Sequence, residues 1–147
     1  MKMSNSRAAL LAALCFACVI IAGCNRGPAM YQVRGKVFYK DGSIPSGMGA
    51  VHFEPTNEST ATIRKVASGN IGPDGSFELM THKPSDGVVQ GEYVVTIAVV
   101  ESATDPTLLS AEKYRNAKTT PIPPITVDHN ISDLKFDIEP STGAPKN

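Results

Sequence analysis

The sequence predicts an all-β fold, a seven-stranded antiparallel β-sandwich. Two observations lead to this prediction. Apolar and polar residues alternate with a period of two in several short segments, as they do in strands that are buried on one face. Turn signals rich in Gly, Pro and Asp separate these segments about every dozen residues, which is the spacing of sandwich strands.

The first predicted strand is "YQVRGKVFYK", residues 31–40. Its odd positions, among them Val33 and Val37, are predicted to face the core, and its even positions to face solvent. Phe38 is the one apolar side chain on the solvent face. The Asp-Gly pair at residues 41–42 is a strong turn signal, so the strand is predicted to end there.

The second predicted strand is "AVHFEP", with Val51 and Phe53 facing inward. Pro55 ends it, because proline has no N–H to donate to a neighbouring strand. The third strand, within "TIRKVASGN", has a weaker pattern and carries Arg64 and Lys65. Charges on a strand commonly protect a sheet edge from pairing with another chain. The alternatives for this pair are an added partner strand, or contact with anionic lipid or glycan.

"GPDGSFEL" predicts a turn that leads into a fourth strand, with Phe77 and Leu79 facing inward. The fifth strand, "GEYVVTIAVV", is apolar on both faces, so we expect it at the centre of a sheet. "PITVD" and "LKFDIEP" are the sixth and seventh strands. The inward residues of the seventh are predicted to be Leu134, Phe136 and Ile138.

The longest irregular piece, residues 101–124, separates the fifth strand from the sixth. Asp105 followed by Pro106 suits the start of a helix, so a short helix near 106–117 is one prediction and an ordered loop is the other. "TTPIPP" is predicted to be extended, because a residue before proline is disfavoured in the α region. The tail, residues 141–147, is predicted to be disordered.

The N-terminus has the three-part pattern of a secretory signal: Lys2 and Arg7, an apolar run over residues 8–21, then small residues. The apolar run is short for a membrane-spanning helix, which needs roughly 20 residues. "IAGC" at its end resembles the lipobox of bacterial lipoproteins, in which the chain is cut before a diacylglyceryl cysteine. The resemblance implies that Cys24 is the lipidation site. An ordinary signal peptide with a chance cysteine and an uncleaved anchor helix are the alternatives.

This interpretation divides the chain into four parts: a signal peptide (1–23), a tether (24–30), one β-sandwich domain (31–140) and a tail (141–147). It predicts a membrane-anchored lipoprotein of the bacterial cell envelope, held by acyl chains such as palmitate, with the domain facing the periplasm or the exterior. Asn25 stands where many inner-membrane lipoproteins have aspartate, so the outer membrane is favoured over the inner one. Cys15 and Cys18 leave with the signal peptide, so their C-x-x-C spacing predicts no redox or metal site.

The order of strands and turns resembles carboxypeptidase regulatory-like domains, which have a transthyretin-like (prealbumin-like) Greek-key sandwich. "VRGKVFYKDGSIPSGMGAVHFEP" is similar to the family's V-x-G-x-V strand, D-G turn, Pro/Gly-rich loop and V-x-F strand. "GPDGSFEL" resembles its D-G-x-F turn, and "GEYVVTIAV" its G-x-Y-x-V-x-V strand. The closing segments look like those of small bacterial lipoproteins built on this domain, so the resemblance covers roughly residues 31–140.

In this family the domains are mostly non-catalytic folding, adhesion or binding modules, and the resemblance implies no catalytic residue. It assigns structural roles to the positions that match the motifs: Gly35, Gly42, Gly75 and Gly91 for the backbone, and Val37, Phe53, Phe77, Tyr93 and Val95 for the core. The enzymes of the wider fold, the hydroxyisourate hydrolases, end in a Y-R-G-S signature. "YRNA" at residues 114–117 shares two letters with it and is not at the terminus. We therefore predict that the chain is not an enzyme.

Three histidines are the candidates for imidazole or metal chemistry: His52 on a strand, His82 in the loop "THKPSDG" and His129 in the turn before the last strand. A metal site would need at least two of them to converge. A second set could stack on a glycan: Phe38, Tyr31 and Tyr114. The chain has no net charge and no basic block, which argues against nucleic acid as a partner.

The leading hypothesis is a non-catalytic, lipid-anchored β-sandwich of the cell envelope that acts as a scaffold or protein-interaction module. It needs no cofactor, and its partners are the membrane and an envelope protein or glycan. One alternative is a carbohydrate- or peptidoglycan-binding module, which predicts exposed aromatic rings in a groove. Another is a periplasmic small-ligand or metal-binding protein, which predicts that the histidines converge.

Overall fold

A computed structural model describes residues 27–142 of the 147-residue chain. The predicted signal peptide, the lipidation site Cys24 and most of the predicted tail lie outside the described residues. The described part is built of strands and loops with one short 3₁₀ helix. The strands are β1 (Met30–Tyr31), β2 (Val33–Tyr39), β3 (Met48–Pro55), β4 (Ala67–Ile71), β5 (Ser76–Glu78), β6 (Val88–Val89), β7 (Gly91–Val100), β8 (Ile125–Val127) and β9 (Ile131–Ile138).

The strands form a three-stranded sheet, β5-β2-β9, and a four-stranded sheet, β4-β3-β7-β8, while β1 and β6 pair separately. The predicted all-β sandwich is confirmed, and β7 lies inside its sheet as expected. The strand number differs from the seven predicted, because β1 and β6 are additional strands of two residues each. The pairing also differs at one place: β2 and β9 run parallel, whereas the other described strand pairs are antiparallel.

The two sheets share one core, and the alternation of the sequence decides which residues enter it. The side chains of Val33 and Val37 from β2 meet those of Val51 and Phe53 from β3, and all four are fully buried. Phe77, Leu79, Tyr93, Val95, Phe136 and Ile138 are also buried, as the pattern predicts. The buried Tyr93 hydroxyl donates a hydrogen bond of 2.6 Å to the Val89 carbonyl. This bond offsets the cost of removing the hydroxyl from water.

One side of the sandwich is closed by the turn between β4 and β5, which moves the chain from one sheet to the other. Ser68 of β4 and Met80, which follows β5, exchange two backbone hydrogen bonds of 2.9 Å along this side. Arg64 and Lys65 lie in the loop before β4 and not on the strand, so the prediction that they protect a sheet edge is wrong. The Lys65 N–H donates to the Ile63 carbonyl at 3.1 Å, and this local turn delays the strand until Ala67.

The opposite side is closed by residues 107–115. The Leu109 N–H donates to the Val99 carbonyl, and the Ala111 N–H donates to the Glu139 carbonyl, each at 2.8 Å. The short helix predicted near 106–117 is reduced to one 3₁₀ helix of four residues, Glu112–Arg115. Asp105 starts no helix, because its carboxylate accepts both the N–H (3.0 Å) and the hydroxyl (2.6 Å) of Thr107 in a local turn.

The register of the strands gives the sandwich two distinct ends. The N-terminal end holds residues 27–29 and three loops, 56–66, 81–87 and 128–130, since Gln90 bonds to Ala29 and Gly91 pairs with Val127. The far end holds the loops 40–47, 72–75 and 101–107, since Met48 pairs with Val100. Within residues 27–142, no helix is long and apolar enough to cross a membrane.

Candidate binding surface

The outer face of the three-stranded sheet carries an open depression that is lined by charged side chains and by Phe38. The alternation of β2 turns Arg34, Lys36 and Phe38 outward, where they meet Glu78 of β5 and Lys135 of β9. We call these five side chains the charged sheet face. They line an open depression of about 870 Å³.

Charges on this face are paired between neighbouring segments. The Arg34 guanidinium lies 3.0 Å from the Glu78 carboxylate, and the Lys36 ammonium lies 3.3 Å from the Asp74 carboxylate. The four side chains remain 36–58% exposed, so these ion pairs contribute little to folding stability. They place charges of both signs side by side on an open surface.

Asp74 provides a permanent negative charge at the rim of this face. The Ser76 hydroxyl donates to its carboxylate at 2.6 Å, and the Ser76 N–H donates at 3.1 Å. These hydrogen bonds, with a further contribution from Lys36, lower the pKa of Asp74 to about 2. The carboxylate therefore stays ionised throughout the physiological pH range.

Phe38 is the aromatic component of the charged sheet face. It is partly buried, and the Lys135 ammonium lies 5.4 Å from the centre of its ring, within the range of a cation–π interaction. A flat apolar ligand group could take the place of this ammonium over the ring. The face can thus make both charged contacts and one stacking contact.

The other two aromatic candidates do not join Phe38. Tyr114 is only 2% exposed, because the 3₁₀ helix turns its ring into the core. It therefore presents no surface for a ligand. Tyr31 is half-buried on β1 and packs against the core. Sequence alone could not show the burial of Tyr114, since it depends on how an irregular segment docks against β7.

The three histidines have different surroundings. His52 lies on β3, the His82 Nδ1 lies 3.1 Å from the Lys65 ammonium, and the His129 Nδ1 lies 2.5 Å from the Asp128 carboxylate. Among residues 27–142, no three or more His, Cys, Asp or Glu side chains gather closely enough to hold a metal ion.

A second charged cluster was not predicted from the sequence. The Glu139 carboxylate accepts from the Lys40 and Lys113 ammonium groups at 2.5 Å each. Hydrogen bonds from Lys113 and then Lys40 lower the pKa of Glu139 to about 2. The cluster ties the end of β2 to the 3₁₀ helix and to the end of β9. Its three members are far apart in sequence, so no local pattern could reveal it.

Comparison of this chain with protein-family models, with curated proteins and with solved structures gave no match.

Proposed function

We propose that the chain is a non-catalytic, lipid-anchored module of the bacterial cell envelope that binds a protein partner through the charged sheet face. The observation that carries the binding proposal is the set of fixed charge pairs around an open depression of about 870 Å³. Complementary charges of this kind select a partner and its orientation more than they add affinity.

The anchoring proposal rests on the lipobox-like "IAGC" and on the short distance from Cys24 to the folded domain. The backbone of Ala29 already belongs to the domain, because its carbonyl accepts from the Gln90 N–H at 2.9 Å. Five residue steps separate Cys24 from Ala29, and a fully extended chain covers at most roughly 18 Å in that number of steps. Acyl chains on Cys24 would hold the domain close to the bilayer surface.

A transthyretin-like domain remains our proposal for the family of this sandwich. The turns and strands quoted for the resemblance fall on β2, β3, β5 and β7, in the order that the resemblance implies. Gly42 and Gly75 have φ values of +86° and +78°, which suits the backbone roles assigned to them.

Carbohydrate or peptidoglycan is the second candidate ligand. It is favoured by Phe38, whose ring lies beside polar groups that could bond to sugar hydroxyls. A glycan-binding role predicts that Phe38→Ala abolishes retention on peptidoglycan, whereas Arg34→Glu leaves it largely intact. A protein partner predicts the opposite order of effects.

Site-specific photo-crosslinking in intact cells tests the proposed partner class. A photoreactive residue at Lys36 samples the charged sheet face, and the same residue at the exposed Lys118 is the matched control. We expect one protein to be captured from Lys36 and not from Lys118. The captured protein, once purified, should bind the chain less tightly when Arg34→Glu opposes the charge of the face. Equal capture at both positions, or binding unaffected by Arg34→Glu, would contradict the proposal.

A further inference from the structure

The loop 56–66 ends in an exposed tip that combines apolar and basic side chains. Residues 62–66 are all exposed, with Ile63 at 36% and Val66 at 44%. Arg64 and Lys65 stand between these two apolar residues. We call residues 63–66 the loop tip. Two large apolar side chains are thus exposed within four residues, and each lies next to a cation.

Hydrogen bonds connect the loop that carries the tip to the start of β7. The Ser59 hydroxyl oxygen accepts from the Glu92 N–H at 3.0 Å and from the Ala61 N–H at 3.3 Å. The Arg64 guanidinium donates to the Thr56 carbonyl. These bonds join the two sides of the loop to each other and to the start of β7. The loop is therefore tied to the end of the sheet from which β7 starts.

The loop tip lies at the same end of the domain as its N-terminus. Glu92 contacts Ser59, and Gln90, two residues earlier, bonds to Ala29. The chain segment that leads back to Cys24 thus leaves the domain at the end that carries the tip. Lys83, in the neighbouring loop 81–87, adds another exposed cation to this end.

The two ends of the sandwich differ in charge. The loops of the far end carry one basic residue, Lys40, against four acidic ones: Asp41, Asp74, Glu101 and Asp105. The loops of the N-terminal end carry three basic against three acidic residues. One of these acids, Asp86, caps its own loop: burial opposes its ionisation, but the backbone N–H groups of Thr81, His82 and Lys83 hold the pKa of its carboxyl below the ordinary value, so it stays charged. An anionic surface would therefore repel the far end more strongly than the N-terminal end.

We propose that the loop tip docks the domain on an anionic lipid bilayer, with Ile63 and Val66 inserted at the headgroup level and Arg64 and Lys65 bound to lipid phosphates. The inference rests on the proposed lipid anchor for the choice of end that faces the membrane. Amphipathic surface elements bind bilayers in this way, through buried apolar area and attraction of cations to anionic lipid. The acyl chains supply attachment, and the loop tip supplies orientation.

Tryptophan fluorescence tests the orientation, because the chain has no tryptophan of its own. Val66→Trp places the probe in the loop tip, and Ile44→Trp places it at the far end, where Ile44 is 42% exposed against 44% for Val66. The acylated full chain is reconstituted into phosphatidylglycerol vesicles whose acyl chains carry bromine as a quencher. We expect quenching and a blue shift for Val66→Trp and neither for Ile44→Trp. Equal quenching of both probes, or none at residue 66, overturns the proposal.

Binding of the unacylated mature chain to lipid vesicles tests the loop-tip charges separately from the anchor. This chain carries Cys24→Ser and so has no acylation site. All nine strands and their shared core lie within residues 27–142, so this chain retains the described fold. Arg64→Gln with Lys65→Gln should weaken partition onto phosphatidylglycerol vesicles about fivefold for each charge removed. Arg115→Gln with Lys118→Gln removes the same charge elsewhere and should have a much smaller effect.

The two readouts distinguish failure of docking from failure of the anchor. If the chain incorporates no fatty acid but the loop-tip variants still bind the vesicles more weakly, the anchor proposal is refuted and the docking proposal is retained. If the chain is acylated but the two double variants bind the vesicles equally, the docking proposal is refuted and the anchor proposal is retained. Among the described residues, every substituted side chain is exposed, so the variants should melt close to the wild type. Arg64→Gln and Lys65→Gln also remove the side-chain contacts with the Thr56 carbonyl and His82, so their melting temperatures are compared with that of Arg115→Gln with Lys118→Gln.

Discussion

The ring of Phe77 stacks on the ring of Phe136, with centroids 5.7 Å apart and an interplanar angle of 18°. The two residues belong to β5 and β9, which are not neighbours, because β2 lies between them. Gly35 of β2 pairs with Phe77 on one side and with Leu134 on the other. Since Gly35 has no side chain, the two rings can meet across the strand that separates their own. The contact therefore joins the two edge strands of the three-stranded sheet directly through their side chains.

Phe77→Ala should destabilise the fold by about 3–5 kcal/mol, because it removes a buried ring and leaves a cavity beside Phe136. Denaturant unfolding measures the free energy. Phe38→Ala, on the outer face of the same sheet, is the control and should cost about 1 kcal/mol. A loss well below 1 kcal/mol for Phe77→Ala would mean that its ring is not part of the core.

Gly35→Ala should also destabilise the fold, for a different reason. A Cβ at this position would overlap the backbone and the Cβ of Leu134, so β2 and β9 would have to separate. Overpacking of this kind typically costs about 1–3 kcal/mol. Gly27→Ala is the matched control, because a Cβ there would meet nothing within 4 Å. Equal melting temperatures for the two variants would show that the close approach at Gly35 does not exist.

Acidification should weaken the fold through Glu139. Its pKa falls from 4.5 in the unfolded chain to about 2 in the folded one, because Lys113 and Lys40 bond to the ionised carboxylate. A lowered pKa stabilises the fold fully above the unfolded value, and this stabilisation is lost as the pH falls through the folded value. We expect Glu139→Gln to melt at a lower temperature than the wild type at neutral pH, and the difference to shrink towards pH 2.

The control for this pH profile is Glu58→Gln, since Glu58 makes no ion pair with the described residues. Its melting temperature should follow that of the wild type at every pH. A constant difference between Glu139→Gln and the wild type from pH 7 to about pH 2 would exclude the lowered pKa as the cause.

Cys24→Ala should prevent acylation and release the protein from membranes. Metabolic labelling with a radioactive fatty acid checks the first effect, and fractionation of membranes from soluble protein checks the second. Cys18→Ala is the control, because the proposed cleavage removes Cys18 with the signal peptide. Continued labelling of Cys24→Ala would refute the lipobox interpretation.

The strands and the core were predictable because they follow local rules. Alternation selects the inward residues, as it does for Val51 and Phe53, and Asp-Gly pairs mark turns. Alternation says nothing about which strand lies next to which. The parallel pairing of β2 with β9 joins residues about a hundred positions apart in sequence, so no local pattern records it. The helix predicted near 106–117 is shorter than its range and begins only at Glu112, because Asp105 bonds to Thr107 and the Leu109 N–H donates to Val99 of β7.

The candidate surface was predictable only in part. The outward position of Phe38 follows from the alternation of β2. Its partner Lys135 comes from β9, so their contact depends on the parallel pairing that the sequence does not reveal. The loop tip was not predicted, because the weak alternation of "TIRKVASGN" suggests a strand over the whole segment. The turn between Ile63 and Lys65, seen only in the structure, shows that the strand begins at Ala67.

The parallel pairing of β2 and β9 also determines how the domain would respond to mechanical force. The described chain enters β2 at the N-terminal end and leaves β9 at the far end. A pull between the two termini would therefore slide β2 and β9 along each other and load together the hydrogen bonds of their regularly paired segments, 35–39 and 134–138. A hairpin pulled at its open end breaks its bonds one after another. A domain held at its N-terminus and pulled at its C-terminus would therefore resist extension through these bonds, with Val37 and Phe136 at the centre of the loaded segment.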